Sequence, residues 1–118
     1  MTLKQMQKRA HDTAKAKGWW EKEQDIDGDV IAAVVDIPKA LCLIHSEVSE
    51  GLESCRRDEA HMWFRDDGKP EGLASELADV VVRCMDLCGA LGIDLESAIL
   101  TKMSFNDLRS HKHGGKKF

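Results

Sequence analysis

Four acidic side chains fall into two matched pairs, Glu47 and Glu50 in "LIHSEVSEGLE" and Glu76 and Asp79 in "SELADVVVR". Within each pair the spacing of three puts both carboxylates on one face of a helix. Four carboxylates in a small volume repel one another unless they are protonated or joined by cations. Hard divalent ions such as Mg²⁺ and Mn²⁺ take oxygen ligands and leave positions open for water and substrate phosphates. Helical bundles build metal sites from carboxylates on facing helices. A ferritin-like di-iron centre would need Glu-x-x-His pairs, whereas here the second members are Glu50 and Asp79, and His45 precedes its pair. A single acidic pair reads as a solvated face; two pairs at matching positions of neighbouring helices read as a hard-cation site.

The opposite charge lies further along the chain. Lys102, Asn106 and Arg109 are spaced i, i+4, i+7 and fall within about 60° on a helical wheel. His111, Lys112, His113, Lys116 and Lys117 follow, around Gly114 and Gly115. A cationic row beside a metal site suits a polyphosphate, whose oxygens are shared between the metal and Lys and Arg. The competing reading is a basic helix end favoured by the macrodipole.

Four cysteines form no C-x-x-C pair. Cys55, Cys84 and Cys88 sit at apolar positions, where free thiols pack as small hydrophobes, so zinc and disulfide readings are set aside.

The elements that must position these groups are helical almost throughout. Thr2 is the expected N-cap of a first helix carrying Leu3, Met6 and Ala10 and stopping at Gly18. Residues 19–36 read as a loop with a short apolar helical segment at 29–35. Asp36 and Pro38 open a second helix that runs to about Arg57. A polar loop, "RDEAHMWFRDDGKPEG", leads to Pro70 and a third helix ending at Leu91, with Gly92 as the left-handed stop and Ile93 as its apolar contact. Asp94 caps a fourth helix reaching about Ser110. No repeat, low-complexity tract or alternating strand pattern is visible. Gly51 and Gly89 inside helical patterns each cost about 1 kcal/mol relative to Ala.

On the wheel, Leu41, Ile44, Val48, Leu52 and Cys55 share an arc of about 80° on the second helix, with Glu47 and Glu50 on its flank. Leu73, Leu77, Val80, Val81, Cys84, Leu87, Cys88 and Leu91 make the stripe of the third helix. Glu76 and Asp79 lie on the flank of the same hand, with Arg83 and Asp86 alongside. Packing these stripes together as a core is expected to bring the acid pairs into convergence.

Bulk properties bound the function classes. A chain of 118 residues makes one domain, 1–118, with 42% hydrophobic and 32% charged residues. A net charge of −4 argues against nucleic-acid binding. The longest apolar run, "VIAAVV", is far short of the ~20 residues a membrane helix needs. The first twelve residues lack a signal-peptide core. A cytoplasmic protein is expected.

With these residues in place, the sequence resembles the MazG-like all-α nucleoside triphosphate pyrophosphohydrolases. The family pattern E-x-x-E, spacer, E-x-x-D is matched by Glu47, Glu50, Glu76 and Asp79, and the ending "KMSFNDLRSHKHGGKKF" matches K-x-x-x-N-x-x-R and H-G-G-K. "KGWW" near residue 18 is also similar. The resemblance implies a four-helix-bundle-like fold, assembled as a homodimer or homotetramer with sites partly formed by a neighbouring subunit. It implies cleavage of a nucleoside triphosphate between the α and β phosphates, with Mg²⁺ held by the four acids and Mn²⁺ a possible substitute. It implies phosphate binding by Lys102, Asn106 and Arg109. Related dCTP-hydrolysing enzymes hold the base with a first-helix histidine and a following tryptophan, for which His11 and Trp20 are candidates and Trp19, Trp63 and His61 rivals. Two other readings stand beside this one: a phosphoribosyl-ATP pyrophosphohydrolase, and a non-catalytic helical oligomer that binds a nucleotide or metal.

Overall fold

Three of the four helices begin at a side chain that accepts a hydrogen bond from the first turn. The Thr2 hydroxyl accepts from the Gln5 amide, and the Gln5 side chain accepts from the Thr2 amide, a capping box that starts α1 (Leu3–Ala16). Asp36 accepts from the Lys39 amide, and Pro38 lies in the first turn of α2 (Ile37–Arg56). Asp94 accepts from the Ser97 amide to open α4 (Leu95–Asp107). Between them α3 (Leu73–Leu91) ends on Gly92 at φ 68°. The Ile93 amide reaches the Cys88 carbonyl at 2.9 Å and the Gly92 amide that of Gly89 at 3.3 Å, the paired bonds of a Schellman stop.

The computed structural model describes residues 1–20 and 36–109. The expected segment at 29–35 and the basic tail lie outside the described residues, and the fourth helix ends at Asp107, short of the expected Ser110, because its C-cap falls at Leu108. None of the described helices is long and apolar enough to cross a membrane.

One expectation is corrected before α3 begins. Pro70 does not start the helix; it pairs in β2 (Pro70–Glu71) with β1 (Trp63–Phe64), an antiparallel two-stranded hairpin inside the expected loop. The turn is built by Arg65, Asp66, Asp67 and Gly68: Gly68 has φ 88°, and its amide donates to the Arg65 carbonyl at 2.9 Å. The helix starts after Gly72, at φ 98°, where a Cβ would collide with the His61 carbonyl oxygen.

The layout places α3 in the middle. It packs on α2 along one side and on α1 along another, while α4 returns chiefly against α1. Gln7 Nε2 donates to the Ile93 carbonyl at 2.8 Å, and the Lys4 amide to Glu96 at 2.9 Å, tying the start of α1 to the α3–α4 junction. Both interior glycines mark close crossings. A Cβ on Gly51 would stand 3.3 Å from Leu73 and 3.7 Å from the Glu76 Cβ; one on Gly89 would stand 2.6 Å from the His11 Cβ. Glycine there lets helices approach, and that offsets its poor helix propensity.

The expected core stripes are buried only in part: Leu87 is buried, and Ile44, Leu73, Val80, Cys84 and Cys88 are half-buried. Leu41, Val48, Leu52, Leu77 and Val81 are each about half exposed, and Cys55 is exposed. Among the described residues the buried large apolar side chains are Met85 and Leu87, and Ser54 and Ser75 are buried as well. On α2 the face turned to α3 carries Glu47, Gly51 and Ser54, about a quarter turn from the apolar stripe. Gly51, Ser54 and Glu47 line the α2 side of the α2–α3 contact, so Leu41, Val48 and Leu52 of the α2 stripe stay half exposed.

Candidate metal centre and the adjoining cavity

That same rotation sets up the acid cluster. Glu47 on α2 and Glu76 and Asp79 on α3 each offer an oxygen, and these atoms lie within 4.8 Å of one another. Gly51, one turn beyond Glu47, brings the α2 backbone close to Glu76. Glu50 is exposed and stands outside this triad, though near enough for its charge to act on Glu76. The structure thus brings together three of the four acids singled out in the sequence and leaves the fourth at the rim.

Electrostatics register the crowding. Burial holds the Glu76 carboxyl above its usual range, reinforced by its close pairing with the Glu47 side chain and by the charges of Glu47, Asp79 and Glu50. Burial and the Glu47 charge likewise raise Asp79, against the opposing pull of Arg83 and Lys69. One guanidinium answers this charge at close range: Arg83 Nε donates to Glu47 Oε1 at 2.9 Å, with both side chains largely covered.

The donor set is of the type that could hold a hard divalent cation. All three groups are carboxylate oxygens on two helices, the donor type that hard divalent cations take. Glu47 and Asp79 also line a cavity of about 290 Å³ between α1 and α3, whose walls include Ala14, Lys17, Trp19, Val82, Arg83 and Asp86. The Arg83 guanidinium lies 5.7 Å from the Trp19 ring centroid, within cation–π range.

His11 and Trp20 come together, but around a protein partner. His11 Nδ1 and Trp20 Nε1 both lie 2.8 Å from Asp86 Oδ1, and the two rings meet edge-on at 6.0 Å. Their polar edges are engaged with Asp86, and the ring that lines the cavity beside the acids is Trp19. Trp63 lies on the hairpin in a hollow it shares with Phe64, Arg65, Asp66 and Asp67 and does not line the cavity beside Glu47 and Asp79. Cys84 and Cys88 are half-buried free thiols, and burial pushes both up.

Lys102 and Asn106 are exposed on α4 and Arg109 just beyond its end, where the two cations flank the Phe105 ring at 5.5 and 6.0 Å. None of them lines the cavity beside Glu47 and Asp79. Within one protomer the cationic row and the acid cluster are therefore separate features. Arg83 and Asp86 had a visible signal, since both share the flank of the acids on the wheel; that Arg83 would pair with Glu47 and Asp86 with the His11–Trp20 edge depends on the crossing of α1, α2 and α3 and has no sequence pattern. No protein-family model matches the chain, and neither the curated proteins nor the solved structures contain a significant match to it.

Proposed function

We propose that the chain is a Mg²⁺-dependent nucleotide pyrophosphohydrolase of the MazG-like kind, cleaving a nucleoside triphosphate between the α and β phosphates. The observation that carries this reading is the triad of Glu47, Glu76 and Asp79, its oxygens within 4.8 Å, opening onto a cavity with an aromatic wall. Bound there, Mg²⁺ would supply charge neutralisation at the phosphates and a more acidic water. The three acids hold the cation on two helices. Glu50, uncommitted at the rim, is assigned the proton that water loses. The water oxygen bonds to the α phosphorus, the bond to the α–β bridging oxygen breaks, and pyrophosphate leaves with that oxygen. Trp19 offers the base a stacking face in the cavity, with the His11–Asp86–Trp20 cluster bracing the wall behind it.

Lys102, Asn106 and Arg109 then serve the phosphates from a neighbouring copy in a homodimer or homotetramer, where four helices complete a bundle. A non-catalytic nucleotide or metal binder is the second reading, favoured by the separation of this row from the acids within one protomer. The test is pyrophosphate release from the standard ribo- and deoxyribonucleoside triphosphates and from phosphoribosyl-ATP, with and without Mg²⁺, in ¹⁸O-labelled water. Label in the monophosphate supports the reading. Label in pyrophosphate moves the attack to the β phosphorus, and binding without turnover leaves the non-catalytic protein.

A further inference from the structure

We propose that Arg83 is a positioning residue that couples cation binding at the acid triad to the cavity over Trp19. The coupling rests on the divalent-cation reading above and adds a regulatory link to it. One guanidinium makes two engagements that face different functions. Its Nε holds Glu47 Oε1 at 2.9 Å, and its Cζ lies 5.7 Å from the Trp19 centroid inside the cavity wall. Glu47 is the better covered partner, at 14% side-chain exposure against 31% for Arg83, so little solvent screens the pair. Among the described residues Arg83 is therefore the counter-ion that meets the triad at hydrogen-bonding range, with Lys69 acting on Asp79 through its charge alone.

A divalent cation and this guanidinium compete for the same carboxylate. Both need Glu47 electron pairs, and their like charges oppose close approach. Cation entry loosens the Arg83–Glu47 bond, while the Trp19 face still tethers the guanidinium on the cavity side. There its planar fork is turned toward an anionic or carbonyl-bearing ligand, and such a ligand in turn draws Arg83 from Glu47 and favours the cation. A purely structural ion pair predicts the opposite sign, because losing Arg83 would disorder Glu47 and weaken the cation site.

Calorimetric titration of the full chain with MgCl₂, read alongside tryptophan emission, separates these cases. Wild-type protein should bind Mg²⁺ with an emission change that disappears in Trp19→Phe. Arg83→Gln should bind Mg²⁺ about tenfold more tightly while its emission no longer responds, and Arg83→Lys should return the affinity toward wild type. Trp19→Leu, which leaves the ion pair intact and removes the tether, should shift Mg²⁺ affinity by a few-fold; this arm decides if Arg83→Gln does not fold. Weaker Mg²⁺ binding in Arg83→Gln, or an emission response unchanged from wild type, overturns the coupling while leaving the metal site standing. Absence of any Mg²⁺ binding to wild-type protein removes the metal reading and the coupling with it.

Discussion

Glu76 carries the clearest residue-scale consequence. Burial first, then its neighbouring carboxylates, hold its proton in the folded chain at pH values where the unfolded chain has released it. Asp79 behaves alike, with burial again the leading cause. Across the window from the ordinary carboxylate range up to these raised values, the native state binds more protons than the unfolded one. Stability of the metal-free protein therefore falls as pH rises through that window and levels off above it. Glu76→Gln keeps the neutral form at every pH, so in EDTA its thermal midpoint should lie above wild type at neutral pH and converge with it in acid. The same variant should lose Mg²⁺ binding and at least 10²-fold in turnover. Melting curves over pH would count against the crowded triad if the variant were less stable than wild type at neutral pH.

At the scale of elements, caps and stops were legible in the sequence, whereas buried faces were legible only in part. Thr2, Asp36, Asp94 and Gly92 act where side-chain chemistry alone predicts, because a cap is satisfied within one turn. The helical faces depend on what lies opposite, and a wheel records only which residues are apolar. Here Gly51, Ser54 and Glu47 line the α2 side of the α2–α3 contact and leave Leu41, Val48 and Leu52 half exposed. The hairpin was missed because two-residue strands carry no alternation, although "DDG" is itself a turn signal. Two glycines of α3 and its stop separate packing from backbone strain. Gly89→Ala drives a Cβ to 2.6 and 2.7 Å from His11 atoms, so α1 must retreat. It should cost about 1–3 kcal/mol and alter tryptophan emission, because His11 and Trp20 share Asp86. Gly92→Ala meets open space and bears only the left-handed φ, which should cost about 1 kcal/mol and leave emission unchanged. Equal emission changes would deny the His11–Gly89 crossing its role in seating Trp20.

At the scale of the whole molecule, several large apolar side chains among the described residues stand exposed. Leu41, Val48, Leu52, Leu77 and Val81 lie half exposed on α2 and α3, while among the described residues only Met85 and Leu87 are buried large apolar side chains. Exposed apolar patches are a common feature of protein interfaces, and the proposed oligomer would give this one a partner. In the proposed oligomer these stripes meet their counterparts, and the α4 row of one copy reaches the acids of another. Val48→Asp, on the stripe and off the triad, should shift the sedimenting species toward monomer while preserving helicity. The division of labour between copies has a sharper consequence. Arg109→Ala alone should lower kcat/KM by about 10²-fold, equivalent to ~2.7 kcal/mol, and Glu76→Gln alone should be inactive. If the row acts in trans, unfolding the two variants together and refolding them as mixed oligomers should restore a share of activity, because some sites then combine an intact triad from the Arg109→Ala copy with an intact row from the Glu76→Gln copy. Refolded mixtures no more active than their separate parts would place the row and the triad within one chain's site, or leave the row as a solvated basic face.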